Sequence, residues 1–142
     1  MTVQTSRAQR WDMRRSIPAS AASAESISLE VRAALPKFCD EANAFAAELL
    51  LREALTNALV HGSACNPAKF ISLALRLDAG HVFLAVSDGG AGFDWRRLMS
   101  HAAGECDVCG RGIEIFKLFA NRVRFSREGS SVVLFRRFSE AQ

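Results

Sequence analysis

Three polar residues recur at four-residue steps within an apolar segment of the chain: Glu53, Asn57 and His61. In an α-helix this spacing places the three side chains on nearly the same side. The amide oxygen of Asn57 is a hard ligand of the kind that Mg²⁺ prefers, and the carboxylate of Glu53 could take a proton from a water or hydroxyl. His61 is equally consistent with a structural histidine, because cations are favoured at a helix end.

The residues around this polar stripe are leucine, alanine and valine. A helix that is apolar all round is buried, and a carboxylate within it is costly unless it is paired or faces a wet cavity. The stripe is therefore a candidate lining for a site. The alternative is that it marks the solvent-facing edge of an amphipathic helix, and these residues alone leave both interpretations open.

A glycine-rich stretch begins at Asp88 and includes Gly90 and Gly92. It directly follows a predicted strand, and its glycines permit close backbone approach to a ligand. The carboxylate of Asp88 could accept a hydrogen bond from an exocyclic amine. An ordinary tight turn is the alternative for an isolated Asp-Gly-Gly sequence.

A second glycine segment, Gly110-Arg111-Gly112, precedes the last predicted helix. Backbone N–H groups and the helix dipole form an anion site at a helix start, and Arg111 could add a charge-assisted hydrogen bond. The chain has neither the Rossmann nor the P-loop glycine pattern, and it lacks a protein-kinase catalytic loop. A Gly-x-Gly sequence before a helix is by itself weak evidence of a phosphate site.

The elements that must position these residues follow from hydrophobic periodicity and turn signals. Two predicted hairpins indicate a mixed, largely antiparallel sheet with the helices packed on one face, an α+β two-layer sandwich. Strands are predicted at 8–17, 71–77, 82–86, 123–125 and 132–138, of which the one at 71–77 is half-buried. The first predicted helix has Ile27, Val31 and Leu35 on one face and Ser20 or Ser23 as its cap. Two further helices are predicted at 40–61, with the apolar positions Phe45, Leu49, Leu55 and Leu59, and at 113–119.

The bulk composition excludes several classes of protein. The 142 residues carry a formal charge of only +3 with dispersed basic residues, which is not typical of a nucleic-acid binder. We interpret Arg136 and Arg137 as the solvated face of an edge strand. Residues 71–86 are the most apolar region, and three charged or polar residues interrupt them, so no membrane span is expected. Four unevenly placed cysteines predict a reduced, cytoplasmic protein.

In combination and order, these segments resemble the three nucleotide-binding boxes of the histidine-kinase-like ATPase superfamily. Residues 51–61, Leu-Arg-Glu-Ala-Leu-Thr-Asn-Ala-Leu-Val-His, look closest to the anti-sigma-factor serine/threonine kinases, as does Gly129-Ser130-x-Val132. The resemblance covers residues 10–138 and implies a Bergerat-type ATP-binding fold. We expect one domain over residues 1–142, with disorder at 1–8.

The resemblance also implies roles for individual residues. Asn57 would hold Mg²⁺ against the phosphates of ATP, and Glu53 would be the catalytic base toward a Ser or Thr hydroxyl. Asp88 would contact the adenine amino group. The remaining nucleotide-binding positions would be Gly90 and Gly92 in the adjacent loop, Gly110, Arg111 and Gly112 at the phosphates, and Ser130, whose hydroxyl replaces the more usual threonine. Residues 94–109 would form the lid over the nucleotide.

The function implied is transfer of the ATP γ-phosphate to a Ser or Thr of a regulatory partner, by an anti-sigma-type regulator. Its partners would be an anti-anti-sigma-type protein and a sigma factor, with the chain forming a homodimer. No direct contact with nucleic acid or membrane is expected. The alternative is a nucleotide-gated protein-binding module with little or no kinase activity. The intact Glu53 favours the kinase, whereas the short, unusual lid favours the module.

The unusual feature of the predicted lid is the pair Cys106 and Cys109. A zinc site needs two further ligands. Cys39 and Cys65 flank a helix of roughly 22 residues, so about 33 Å separates them and both cannot join one site. We interpret the pair as ordinary thiols, with oxidation that clamps the lid as a further hypothesis.

Overall fold

Five antiparallel strands form one sheet in the computed structural model, which describes residues 9–62, 66–88, 112–125 and 131–139. The strands are β1 (Trp11–Pro18), β2 (Phe70–Leu77), β3 (His81–Ser87), β4 (Arg122–Phe125) and β5 (Ser131–Arg137). Their order in the sheet is β1-β2-β3-β5-β4. Each of these strand pairs is antiparallel. The predicted α+β class is confirmed, and the described sheet is antiparallel throughout instead of mixed.

Three α-helices and two short irregular turns complete the described elements. They are α1 (Ala21–Ala34), a 3₁₀ turn (Leu35–Lys37), α2 (Glu41–Asn57), a π-helical turn (Ala58–Gly62) and α3 (Gly112–Phe119). Ser20 caps α1, since its hydroxyl accepts a hydrogen bond from the backbone N–H of Ser23 at 3.1 Å. Asp40 caps α2 in the same way, accepting from the N–H of Asn43 at 2.9 Å. Of the two predicted caps for α1, Ser20 is therefore correct.

The long helix predicted at 40–61 changes its winding before its end. It is α-helical through Asn57 and π-helical from Ala58 to Gly62. At this boundary the N–H of Ala58 is shared between the carbonyls of Ala54 and Leu55. The four-residue spacing places Glu53 and Asn57 on one side of the α-helical part, whereas His61 falls in the π-helical turn. The side chain of His61 lies outside the described residues.

The main core lies between one face of the sheet and the helices. It joins Met13 and Ile17 of β1, the β2 residues at 71, 73, 75 and 77, and the second half of α2 to Val86 and Phe116. Ile27 and Val31 of α1 are buried in the same cluster, as their spacing predicts. The helices thus occupy one face of the sheet, where α2 packs against β3 and β5.

The opposite side of β2, predicted to face solvent, is also largely buried. Ser72 and Ala74 alternate with the core residues, yet both are buried. Ala74 forms a second small cluster with Phe83, Ala85 and Val133 on the face of the sheet away from the helices. β2 is an inner strand between β1 and β3, so its small residues are covered by larger neighbours. The prediction of a half-buried strand is therefore wrong for this face.

Phe45 is the main error in the predicted core of α2. It is 64 % exposed, whereas Leu50, Leu51 and Ala54 are buried. At about 100° per residue, Phe45 lies on the same side of the helix as the exposed Thr56, roughly opposite the centre of the buried face. The buried face is made instead by the alanines and the paired leucines of the second half of the helix.

Candidate functional site

Hydrogen bonds at the first turn of α2 fix the direction of that helix over the sheet. The side-chain N–H of the buried Asn43 donates to the carbonyl of Ser139 at 2.8 Å. Its side-chain oxygen accepts from Nη2 of Arg136 at 2.9 Å. The helix therefore starts beside the end of β5, and Arg137 at that end pairs with His81, the first residue of β3. The start of α2 and the start of β3 lie at the same end of the molecule.

The other end of α2 reaches the far end of β3. Seventeen α-helical residues extend about 25 Å, and the eight residues from His81 to Asp88 extend about the same distance. The second half of α2 shares the main core with Val86, near the end of β3. The helix therefore runs in the same direction as the strand, and Asn57 and Asp88 lie at one end of the molecule.

The third element, α3, has the opposite direction to α2. Nη1 of Arg136 donates to the carbonyl of Phe119, the last residue of α3, at 2.7 Å. The same guanidinium binds Asn43, so the end of α3 lies beside the start of α2. Phe116 is fully buried in the core shared with α2, and α3 packs along that helix. The N-terminus of α3 at Gly112 consequently points toward Asn57 and Asp88, and we call this end of the molecule the site end.

Within α2, Glu53 and Asn57 lie on the flank that faces away from α1. The flank toward α1 is defined by ion pairs, in which Arg32 binds Glu48 and Arg52 binds Glu25 at 2.6 Å. At about 100° per residue, Glu53 is roughly 140° and Asn57 roughly 180° around the helix from Glu48. These two side chains thus border the space between α2 and the end of β3 at the site end.

Neither Glu53 nor Asn57 has a side-chain hydrogen bond or ion pair with the described part of the chain, although both are half-buried. The neighbouring Arg52, by contrast, pairs with both Glu25 and Glu48. A partly desolvated carboxylate and amide without protein partners can bind a ligand directly. Both offer oxygen atoms, the donor type that Mg²⁺ prefers, so the residues present fit a magnesium ion.

Asp88 follows β3 directly and is half-buried at the site end. Burial raises the pKa of its carboxyl, while a hydrogen bond from its own backbone and the positive charge of Lys69 act in the opposite direction. A carboxylate that has lost part of its hydration gains more from a new hydrogen bond than an exposed one does. This environment suits an acceptor for an amino group that enters from outside.

Only part of the predicted site falls within the described residues. Glu53, Asn57 and Asp88 do, and Gly112 is the first residue of α3. The positions Gly90, Gly92, Gly110, Arg111 and Ser130, the predicted lid at 94–109 with Cys106 and Cys109, and the N-terminal residues 1–8 lie outside them. Over the ranges that are described, no group of three or more His, Cys, Asp or Glu side chains could hold a metal ion.

Asn43 and Arg136 are the residues that the sequence interpretation missed. Arg136 belongs to an inner strand, because β5 lies between β3 and β4. Its side chain points to the helices, so its prediction as a solvated edge-strand residue is wrong. The available signal was Asn43, an amide in a helix whose neighbours are mostly alanine and leucine. A buried amide needs several hydrogen-bond partners, which predicts a connection to another element.

None of the described helices is long and apolar enough to cross a membrane. A search of curated proteins gives no match. Among solved structures, the chain resembles the RsbU and RsbW domains of Rv1364c from Mycobacterium tuberculosis, with a TM-score of 0.61 and 16 % sequence identity. The match covers 90 % of this chain and 32 % of that one, so the chain spans about a third of its neighbour's length. At this identity the likeness establishes the fold.

The sequence itself matches a family model over most of its length. The matching model describes the histidine kinase-like ATPase domain, and the match extends over residues 17–136. This range begins in β1 and ends in β5, so it contains every described helix and the three polar residues at the site end. On this match the chain belongs to the histidine kinase-like ATPase family.

Proposed function

We propose that the chain is an ATP-dependent protein serine/threonine kinase that acts as an anti-sigma-type regulator. Its substrate would be a Ser or Thr of a regulatory partner protein, of the anti-anti-sigma type, and a sigma factor would be a second partner. The 142 residues would form one nucleotide-binding domain, and two copies would form a homodimer. Family membership supports ATP binding, and a fold shared with a structure that contains an RsbW domain supports the regulatory role.

The observation that carries this proposal is the convergence at the site end. Glu53 and Asn57, which have no side-chain partner among the described residues, lie there with the partly desolvated Asp88, and the N-terminus of α3 points toward them. Each suits a different part of MgATP. A carboxylate and an amide alone would fit many ligands, but a hydrogen-bond acceptor for an amine together with a helix N-terminus that points toward them favours a purine nucleotide with phosphates.

The roles divide according to chemistry. Asp88 would accept a hydrogen bond from the adenine amino group, and Gly90 and Gly92 would let the adjacent loop approach the base. Asn57 would be the protein ligand of Mg²⁺, which neutralises phosphate charge when bound. Backbone N–H groups from Gly110 to Gly112, with Arg111, would contact the phosphates, and the hydroxyl of Ser130 would lie near the adenine.

Glu53 would act as the general base toward the partner's hydroxyl. It precedes Asn57 by one helical turn on the same flank, so a base at Glu53 would lie beside a metal held at Asn57. Glu53 is half-buried, so its carboxylate would stay accessible to the partner's hydroxyl. Positioning and electrostatic stabilisation supply most of the acceleration in phosphoryl transfer, and a base of this kind contributes about 10²–10⁴-fold.

Incubation with γ-labelled ATP and candidate partner proteins tests the proposal. The wild-type chain should label a Ser or Thr of the partner, and Glu53→Gln should lower that rate by about 10²–10⁴-fold while it preserves nucleotide binding. Glu30→Gln is the matched control, because it removes a glutamate whose surface ion pair with Arg15 contributes little. Its rate should equal that of the wild type.

Two results would change the assignment. Label transfer that survives Glu53→Gln removes Glu53 from the role of base. Tight MgATP binding without transfer to any partner, together with nucleotide-dependent capture of a partner, identifies the chain as a nucleotide-gated binding module instead. Thermal shift with MgATP separates either result from a chain that does not bind nucleotide at all.

A further inference from the structure

Among the described residues, the face of the sheet away from the helices, here called the outer face, carries mainly positive charge. Alternation along the strands assigns five arginines to it and only one carboxylate within the described residues. The arginines are Arg14, Arg76, Arg122, Arg124 and Arg137. The carboxylate, Asp12, already pairs with Arg76 at 2.9 Å and with Arg10 at 3.0 Å. The outer face therefore has a large excess of positive charge.

Strand register arranges these arginines as two walls with an apolar floor between them. In one row across the sheet, Phe135 and Phe83 lie between Arg122 on β4 and Arg76 on β2. In the next row, two alanines and a valine (Ala74, Ala85 and Val133) lie between Arg124 on β4 and Arg14 on β1. We call the floor and its two arginine walls the trough, and it runs along the strands.

The trough contains a groove of about 210 Å³, lined by Phe83, Val133 and Phe135 with three arginines at its rim. This volume is below the range of pockets that enclose a whole small-molecule ligand, about 300–1,000 Å³, so it suits a single apolar side chain. The guanidinium groups of two rim residues, Arg122 and Arg137, have no acidic partner among the residues described. The groove thus offers an apolar anchor point beside available positive charge.

We propose that the trough binds an amphipathic helix of a partner protein, one whose apolar stripe is flanked by aspartate and glutamate. The walls are three strand spacings apart in the row of Arg122 and Arg76, about 14 Å, and four in the row of Arg124 and Arg14, about 19 Å, and a helix with its side chains is about 10–12 Å wide. A large apolar side chain of that helix enters the groove. Its carboxylates pair with Arg122 and Arg137 at the rim, whose guanidinium groups can bind carboxylates in a bidentate manner.

Two other occupants fit the outer face less well. A second copy of this chain across a two-fold axis would bring arginine walls against arginine walls, and like charges in contact oppose association. Single-stranded nucleic acid binds by stacking bases on open aromatic faces. Phe83 is only 7 % exposed, and the Phe135 ring contacts His81 with centroids 5.1 Å apart, so the trough lacks such a platform.

This surface lies across the sheet from α2 and α3 and does not depend on the proposed nucleotide site. The test uses a fluorescent synthetic peptide of about 15 residues, which as a helix matches the length of β3. Its apolar stripe carries one phenylalanine and is flanked by glutamates, and a second peptide has glutamine in place of each glutamate. The full chain should bind the glutamate peptide at low salt, equally with and without MgATP, and at least about tenfold more tightly than the glutamine peptide.

Variants assign the binding to the trough. The double variant Arg122→Gln with Arg137→Gln should lower the affinity for the glutamate peptide by about tenfold or more. The control pair, Arg15→Gln with Lys37→Gln, removes the same charge from residues outside the outer face and should change affinity less than about twofold. Circular dichroism checks that each variant folds. Charge reversal at Arg122 and Arg137 to glutamate should restore binding to a peptide with lysine in place of each glutamate.

Several outcomes would overturn the proposal. They are the absence of binding to the glutamate peptide, equal affinity for the glutamate and glutamine peptides, and a loss of affinity in the control pair as large as in the Arg122 and Arg137 variant. Tighter binding of a single-stranded oligonucleotide that depends on Arg122 and Arg137 would assign the trough to nucleic acid. A concentration-dependent dimer that the Arg122 and Arg137 variant abolishes would assign it to a second copy of the chain.

Discussion

The side-chain oxygen of Asn43 and the guanidinium of Arg136 are joined by a hydrogen bond of 2.9 Å, although 93 residues separate them in sequence. The other terminal nitrogen of Arg136 binds the carbonyl of Phe119 at 2.7 Å. One arginine therefore holds the start of α2 and the end of α3 against β5. Because both helices are fixed at this end, α2 extends to the site end and the N-terminus of α3 points toward it.

Replacement of Asn43 should destabilise the domain. Asn43→Ala leaves a terminal nitrogen of Arg136 and the carbonyl of Ser139 without their partner, and such losses cost about 2–4 kcal/mol of unfolding free energy. The melting temperature should fall by about 6–15 °C. Ser139→Ala, which keeps the amide and removes only a hydroxyl bond of 3.3 Å, is the control and should change little. Equal melting temperatures for wild type and Asn43→Ala would contradict this account.

Asp88→Asn should stabilise the free domain while it weakens nucleotide binding. Burial raises the folded-state pKa of Asp88 above its usual value of 3.8, so the folded chain binds this proton more tightly than the unfolded chain does. That contribution is complete below the unfolded pKa and is lost as pH rises through the folded pKa. At about pH 7 the asparagine variant should therefore melt higher than the wild type, and the difference should shrink toward about pH 4.

The nucleotide half of that prediction needs a separate measurement. Calorimetric titration with MgATP should show weaker binding to Asp88→Asn, because the amide presents a donor as well as an acceptor to the adenine amino group. Glu30→Gln serves again as the control. A variant that melts lower than the wild type at about pH 7, or that binds MgATP equally well, would argue against a desolvated acceptor at this position.

Asn57→Ala should remove the magnesium-dependent part of ATP binding. For the wild type at about 100 times the dissociation constant, MgATP should add about 2.7 kcal/mol of stability and raise the melting temperature by about 5–15 °C. The variant should respond to MgATP no more than to ATP with EDTA. Thr56→Ala, at an exposed neighbouring position, should retain the full response. A magnesium-dependent shift that persists in Asn57→Ala would exclude this residue as the metal ligand.

Cys39 should react slowly with thiol reagents in the folded chain. Burial raises its pKa to about 11 from a usual 9.0, with the charge of Asp40 acting in the same direction and Arg136 opposing. At about pH 8 the thiolate is then about a hundredfold scarcer, and its greater intrinsic nucleophilicity recovers about tenfold of this. Iodoacetamide should label Cys39 about tenfold more slowly than in urea-unfolded chain. Peptide mass spectrometry with Cys39→Ala assigns the site, and equal rates would contradict the assignment.

Local sequence signals predicted most of the elements. Alternation predicted β1 and β2, the turn at 78–80 predicted β3, and four-residue spacing predicted α1, because side-chain periodicity follows directly from backbone geometry. The caps Ser20 and Asp40 are local as well, since each accepts a hydrogen bond from a residue three positions ahead. The error at Phe45 arose because the packing of neighbouring elements decides which side of α2 is buried.

The sequence by itself determined the type of each element, the four-residue spacing of Glu53 and Asn57 on α2, and the position of Asp88 after β3. Only the tertiary structure decided that these residues lie at one end of the molecule. That outcome depends on Arg136 contacting both Asn43 and Phe119. Strand register separately aligns arginines in rows across the outer face. Such contacts join residues far apart in the chain, and periodicity carries no information about which distant segments meet.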